Sequence, residues 1–407
     1  MVETYTIMVF RNNPARIRCY GTGMFLLFLL LSPVLLSASP IASPTWGFRI
    51  DPPEGYQLME GDGKGRFSFR FQEEETQLDL VVYAGALQPD GSRSKNPYPS
   101  VAVLAADVQR RLNSQGAIKP FTYRHKQAVL MELRFSGIHG LSQGWGLCIE
   151  LESPEQTGEK PLLLALAYGP VQRGNIPDIH FSALDSIVPS PQDRLVPGPI
   201  TEYQYPRGTQ QQVPLAGLAV EALIYEHDAA AAQALVDREF RILRRYIASP
   251  QWKEAWIRFY RAIYRDSFDR LAHAAFMLER FWNIPELEDR DLAEKALNWV
   301  QSFTYERNLL GSDFVNLVSA AVEGRGDCDS RALLWALILE QANIPAAIMV
   351  SPQYSHAMGL ADLPGTGARF TLEGKSWLVA ETTSSVSLGR ISAQMSETRY
   401  WLGVALE

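Results

Sequence analysis

Alternation of apolar and polar side chains dominates the chain from residue 46 to about 190. In "RFSFRFQ", residues 66–72, three phenylalanines alternate with polar residues, which is typical of a half-buried strand. The segment "YPSVAVLAADVQRRLNSQG" has helical spacing instead and ends in residues that stop a helix. Further strands are predicted in "QLDLVVYAGAL", "QAVLMELRFSG", "GWGLCIELES" and "KPLLLALAYGP". The pattern predicts an α+β domain at 46–190 with a largely antiparallel sheet.

The periodicity changes after a stretch rich in Pro, Gln and Gly. This stretch, 191–214, predicts a linker, because proline removes backbone donors and fixes φ. From 215 to 285 the apolar residues recur at helical spacing: one long or two shorter helices come first, and a helix with an aromatic stripe follows. The stripe is typical of helix packing, so we predict a helical segment here.

The C-terminal part, 286–407, predicts helices followed by strands. Asp289 is placed to cap one helix, and "RALLWALILEQA" has so few polar gaps that it predicts a buried helix. The short apolar segments "AAIMV" and "KSWLVA" flank a segment that starts at His356. We therefore predict an α+β chain whose C-terminal core packs a cysteine-bearing helix on an antiparallel sheet.

The first 45 residues have the pattern of an export signal. A region with several arginines precedes the apolar run "MFLLFLLLSPVLL", and the small residues "SASPIASP" follow it. The run is shorter than the roughly 20 residues that a membrane span needs. The pattern predicts an exported protein of the periplasm or cell envelope. An uncleaved anchor, which would associate the protein with the membrane, is the alternative.

Composition narrows the classes of partner. The chain has 407 residues, 46% of them hydrophobic, and its formal net charge is -7. This composition supplies a sizeable core but no basic face of the kind that nucleic acids need. The three cysteines, Cys19, Cys148 and Cys328, form no disulfide framework and no zinc-ligand spacing. Cys148 lies in an apolar strand and is typical of a small core residue.

Cys328 is the strongest candidate for chemistry. It stands in "GRGDCDSRALLWALILEQANIPA", between a Gly- and Asp-rich turn and the buried helix. Backbone N–H groups and the dipole at a helix N-terminus stabilise a thiolate, and they stabilise an oxyanion on a substrate carbonyl. The alternative is a small buried residue at a helix start.

A cysteine nucleophile needs a base, and the base needs a group that orients it. His356 is the only histidine after Cys328, and it begins one strand; Glu381 ends another. Adjacent antiparallel strands can place the two side chains next to each other, so that Glu381 accepts a hydrogen bond from the imidazole. The other ring nitrogen would then face the thiol.

These motifs resemble the transglutaminase-like branch of the papain-type cysteine enzymes. The resemblance covers about 290–385 and rests on "GRGDCDSRALLWALILEQANIPA", "SHAMG" and "KSWLVAETT". It implies Cys328 as nucleophile, His356 as base and Glu381 as orienting acid, without a cofactor or metal. Glu381 departs from the family's usual aspartate by one methylene. The 46–190 domain resembles, in pattern only, the PsbP-like fold of small envelope and thylakoid proteins.

The resemblance implies acyl transfer from a carboxamide or peptide carbonyl of a protein or peptide substrate. Exported bacterial members of the family favour hydrolysis, as peptidases or amidases, over cross-linking. The alternative is an inactive transglutaminase-like fold that serves as an envelope scaffold or protein-binding module. The sequence leaves the substrate and the oligomeric state open.

Overall fold

The structure of the protein is a computed structural model that describes seven ranges of the chain: 40–85, 94–137, 140–152, 160–171, 177–282, 288–306 and 312–406. All of them belong to a single unit, 36–407. The predicted export segment lies outside the described residues as far as residue 39. No helix within these ranges combines the length and the apolar character that a membrane crossing requires.

The alternating segments of the N-terminal part form one antiparallel sheet. Its strands, in order across the sheet, are β3 (Gln57–Gly61), β4 (Arg66–Phe71), β5 (Thr76–Tyr83), β9 (Leu162–Pro170), β8 (Gly140–Glu150), β7 (Lys126–Gly137) and β6 (Ile118–Tyr123). Phe67, Phe69 and Phe71 are buried on one face of β4, as their alternation predicts. The side chains of α1 (Val101–Leu112) pack with Cys148 and its neighbours in one hydrophobic cluster.

A pair of short strands and a helix complete this part. The strands β1 (Ile41–Ala42) and β2 (Arg49–Ile50) pair antiparallel, and α2 (Pro177–Asp185) contacts β8 and β9.

The stretch 191–214 is folded, in contrast to the linker that its composition predicts. It contains a 3-10 helix at Pro191–Asp193, the helix α3 (Pro199–Gln204) and the strand β10 (Gln210–Pro214). The buried Asp185 carboxylate accepts the N–H groups of Ile200 and Thr201 at 2.8 and 2.9 Å. This side chain fixes the start of α3, and because it lies outside the stretch, local composition does not reveal it.

The segment from 215 begins with a strand, which corrects the helical prediction there. β11 (Glu221–Tyr225) pairs antiparallel with β10, and its alternate side chains Ala222 and Ile224 are buried. The segment forms a strand because its buried side chains recur every two residues. The predicted helices then follow as α4 (Asp228–Leu243), α5 (Trp252–Arg270), α6 (Ala272–Phe281) and α7 (Asp289–Gln301).

The C-terminal core has the predicted α+β arrangement. Its helices are α8 (Leu317–Glu323) and the buried α9 (Cys328–Gln341), and β12 (Thr304–Tyr305) pairs parallel with β13 (Arg325–Gly326). The strands of the antiparallel sheet, in order across it, are β16 (Arg369–Leu372), β17 (Lys375–Ala380), β15 (His356–Ala361), β14 (Ala346–Ser351) and β18 (Leu402–Ala405). α9 lies against β14 and β15, and α7 also packs on it.

A close contact fixes α9 on the sheet. Trp335 is fully buried and lies directly against the backbone of Gly359 in β15. A Cβ atom at position 359 would collide with the indole ring. Glycine at this position therefore allows the helix to approach the strand that begins at His356.

Candidate active site

The start of α9 is fixed by Asp327. Its Oδ1 accepts hydrogen bonds from the N–H and the hydroxyl of Ser330 at 2.8 and 2.6 Å, as an N-cap aspartate does. Gly324, in the left-handed region at φ 66°, ends the preceding helix α8 and allows the turn between the two helices. Cys328 is thereby held in the first turn of a buried helix.

The Cys328 thiol is 5% exposed and lies beside the start of β15. The N–H of Ala357 and the hydroxyl of Tyr305 both donate hydrogen bonds to its sulfur. Since Ala357 follows His356 directly, the cysteine lies next to the strand end that carries the predicted base.

Burial raises the pKa of the Cys328 thiol above its ordinary value, and the carboxylates of Asp329 and Asp327 raise it further. The two hydrogen bonds to the sulfur offset only part of this effect. The helix N-terminus led us to expect a stabilised thiolate, but the surroundings favour the neutral thiol in the resting protein. Burial and the neighbouring acidic groups, with Asp329 ahead of Asp327, outweigh the helix dipole here.

His356 and Glu381 lie together as the strand order predicts. Nε2 of His356 is 2.8 Å from Oε2 of Glu381. β15 pairs antiparallel with β17 so that Gly359 faces Ala380, and Glu381 follows directly after β17. Oε2 of Glu381 can accept a hydrogen bond from Nε2–H of the imidazole, and Nδ1 is then the ring nitrogen left for another partner.

Glu381 is held by more than the histidine. Its Oε1 accepts the N–H and the hydroxyl of Thr383 at 2.7 and 2.6 Å, and its backbone carbonyl accepts Nε2 of Gln301 at 2.8 Å. Burial would raise the pKa of this carboxyl, but the hydrogen bond and charge of His356 and the Thr383 donors bring it below its ordinary value. Glu381 is thus an anchored carboxylate that can fix the imidazole.

Two aromatic side chains near the site escape sequence analysis. Trp401, just before β18, packs edge to face on the His356 ring with 6.3 Å between the centroids. Tyr305, at the end of β12, reaches Cys328 from a different part of the chain. No local motif marks either residue, because the pairing of β18 with β14 and of β12 with β13 brings them here.

Arg331 is a buried cation one helical turn after Cys328. Its Nε donates to the carbonyl of Gly326 at 3.1 Å and its Nη2 to that of Phe303 at 2.7 Å. The guanidinium lies over the Tyr305 ring, 5.4 Å from its centroid. Burial lowers the pKa of Arg331, while nearby Tyr305 and acidic groups raise it. The side chain therefore ties both strands of the β12–β13 pair to α9.

Asp329, the acidic residue after Cys328, also accepts a hydrogen bond. Asp329 Oδ1 accepts the hydroxyl of Tyr260, on α5, at 2.8 Å. Burial of Asp327, together with the charge of Asp329, raises the pKa of the Asp327 carboxyl to about 8. Asp327 is therefore largely protonated at neutral pH, and the negative charge on the helix side of the thiol comes from Asp329, whereas the imidazole lies on the strand side.

Comparison with known proteins adds no family assignment. No family model and no curated protein matches the chain. A solved crystal structure from Bacteroides thetaiotaomicron VPI-5482 is similar over 83% of this chain and 87% of its own, with 6% identity and a TM-score of 0.25. That score is too low to support an argument about fold or function.

Proposed function

We propose that the protein is a cysteine enzyme of the transglutaminase-like type, which transfers acyl groups from peptide or carboxamide bonds. The observation that supports this most is the 2.8 Å contact between His356 and Glu381 at the strand end beside Cys328. Such a reaction needs a nucleophile, a base and an orienting acid; here the base and the acid are in contact, and the sulfur of Cys328 meets the N–H of Ala357, the residue next to the base. We also propose export to the envelope and a protein or peptide substrate, from the sequence alone.

The first half-reaction forms a thioester. His356 takes the thiol proton on Nδ1 as the Cys328 sulfur attacks the carbonyl carbon, since the resting thiol is neutral. The N–H of Cys328, at the helix N-terminus, donates to the oxyanion. The C–N bond then breaks, and His356 returns the proton to the leaving amine. Glu381 stabilises the imidazolium throughout.

The second half-reaction releases the acyl group. Water, deprotonated by His356, attacks the thioester carbon, and the carboxylic acid leaves while the sulfur recovers a proton. A primary amine in place of water would give a new amide instead. We favour hydrolysis, following the exported members of the family that the sequence resembles.

The test is incubation of the full chain with a mixture of glutamine-containing peptides, with and without a biotin-labelled primary amine. Mass spectrometry distinguishes hydrolysed peptides from biotin-labelled ones. We expect hydrolysis products from the wild type and from Cys328→Ser none. Products that persist in Cys328→Ser would contradict the proposal.

The second candidate is a non-catalytic binding module, favoured by the nearly complete burial of Cys328 and the raised pKa of its thiol. Under this hypothesis the same fold presents a surface to a partner and the cysteine is a packing residue. Iodoacetamide labelling separates the two. A binding module predicts that the labelling rate of Cys328 is the same in wild type and in His356→Ala, whereas an enzyme predicts a slower rate without the base.

A further inference from the structure

A second polar region lies away from Cys328, where α2, α4, α5 and the C-terminal residues meet. It is a cavity of about 110 Å³. Its lining includes Arg49 of β2, Arg238 of α4, Asp51, and three arginines of α5: Arg258, Arg261 and Arg265. Guanidinium groups this close together repel one another unless negatively charged groups lie among them.

Two of these arginines form ion pairs with carboxylates. Arg238 binds Asp185 at 2.6 Å and Glu239 at 2.9 Å. Arg258 binds Glu239 at 2.6 Å and Glu54 at 3.0 Å. This buried network of two guanidinium groups and three carboxylates forms one wall of the cavity.

The other three arginines make no ion pair within the described residues. Arg261 donates through Nε to the Ala405 carbonyl at 2.8 Å, and Arg265 donates to the carbonyls of Asp185 and Ile187 at 3.0 and 3.2 Å. Asp51 interacts electrostatically with all of them and with Arg258, without an ion pair of its own. Three guanidinium groups thus face one carboxylate.

Two buried donors in the same lining lack a partner among the described residues. They are Nη2 of Arg258, whose side chain is 7% exposed, and Nε of Arg265. A buried donor without an acceptor is unfavourable, and a bound ion can supply the acceptor that such a donor needs. The geometry therefore calls for an acceptor group with negative charge.

We propose that this cavity binds a phosphate group, either inorganic phosphate or a phosphomonoester. Arg49 approaches from β2 whereas Arg261 and Arg265, one turn apart, approach from α5, so the donors come from different directions. A tetrahedral oxyanion presents oxygens to several sides, and guanidinium groups bind it in paired hydrogen bonds. The five arginines named above exceed the four carboxylates around them (Asp51, Asp185, Glu239 and Glu54) by one, and the negative charge of a phosphate group offsets this excess.

The experiment is calorimetric titration of the full chain with inorganic phosphate, and separately with phosphoserine, at constant ionic strength set by chloride. Arg49→Gln is the decisive variant, because within the described residues the Arg49 side chain makes no hydrogen bond whose loss would disturb folding. Arg110→Gln, on the surface of α1, removes the same charge elsewhere and is the matched control.

We expect saturable binding of one phosphate by wild type and Arg110→Gln, weakened about tenfold in Arg49→Gln. Binding of both probes assigns a phosphomonoester, and binding of inorganic phosphate alone assigns the free ion. Equal binding in Arg49→Gln, or no saturable binding, overturns the proposal. Cys328→Ser is expected to bind like wild type, so this site and the proposed acyl transfer can fail independently.

Discussion

Cys328 and Cys148 are both buried thiols, but their surroundings differ. Cys148 lies in β8 and is enclosed by the apolar side chains of its sheet and of α1, so that burial alone raises the pKa of its thiol. Around Cys328 burial acts together with the carboxylates of Asp327 and Asp329, and two hydrogen-bond donors reach the sulfur.

The difference teaches that burial does not separate a packing cysteine from a candidate nucleophile. Both thiols are protonated at neutral pH. What separates them is the polar groups beside Cys328: the Tyr305 hydroxyl and the Ala357 N–H reach the sulfur, and the His356–Glu381 pair lies at the strand end that carries Ala357. Substitution of these groups one at a time tests this difference between the two thiols.

The largest effect is expected from the two cysteines themselves. We expect Cys328→Ser to lower acyl-transfer activity on the order of 10⁴-fold, because an alcohol is far harder to ionise than a thiol. Cys148→Ser, assayed on the same peptides at a temperature where it is folded, should retain kcat/KM. Equal losses in the two variants would remove the distinction between the sites.

His356→Ala should lower kcat on the order of 10³-fold, within the range of general acid–base catalysis. The exposed His227→Ala is the control for loss of a histidine. Steady-state kinetics of both variants check this, and an unchanged kcat in His356→Ala would exclude the histidine as base.

Glu381→Gln should lower kcat on the order of 10²-fold or less, because a neutral amide supports the imidazolium poorly while it preserves the shape of the side chain. Glu381→Asp keeps the charge, and we expect a smaller loss than in Glu381→Gln. The ratio of kcat between the two variants measures the contribution of charge. A ratio of one would mean that Glu381 acts only through packing.

Asp329→Asn should raise the rate of Cys328 alkylation by iodoacetamide roughly tenfold at neutral pH, since it removes a negative charge that raises the thiol pKa. Asparagine can still accept the Tyr260 hydrogen bond. The rate at Cys148, followed by peptide mass spectrometry, should not change. The surface variant Asp362→Asn controls for net charge, and an equal acceleration there would contradict the explanation.

The smallest effect concerns stability. The folded Asp327 pKa of about 8 exceeds the ordinary value of 3.8, so the folded state binds the additional proton. Stability contributed by this group is therefore complete below about pH 4 and is lost as pH rises through 8. Asp327→Asn should flatten the pH dependence of urea unfolding in this window and keep the helix cap. A profile parallel to that of the wild type would refute this assignment.

Much of the difference between Cys328 and Cys148 could be predicted from the sequence, because the sequence patterns that indicate it are local. The turn before Cys328, the buried helix after it and the strands that bring His356 to Glu381 all follow from the spacing of apolar residues and turns. The fold class follows from the same patterns.

The rest depends on pairings between distant segments. Trp401 reaches His356 because β18 joins the sheet beside β14. No sequence pattern near the C-terminus predicts that pairing. Likewise, 191–214 folds because Asp185 caps α3 from outside the stretch. The raised pKa of the Cys328 thiol results from opposing effects of burial, charge and hydrogen bonds. The residue types at a helix start do not show which of these effects is larger.

The contact of Trp335 with Gly359 also sets how far α9 and β15 extend from it to their reactive ends. From Cys328 to Trp335 the helix advances about 10.5 Å over seven residues, and from His356 to Gly359 the strand advances about 10 Å over three. Contact at one end therefore brings the thiol level with the first residues of β15 at the other, where the N–H of Ala357 reaches the sulfur. One residue inserted into the helix between these points would rotate Cys328 by about 100°, and one inserted into the strand would turn His356 to the opposite face. The number of residues between packing contact and reactive group matters as much as their identity.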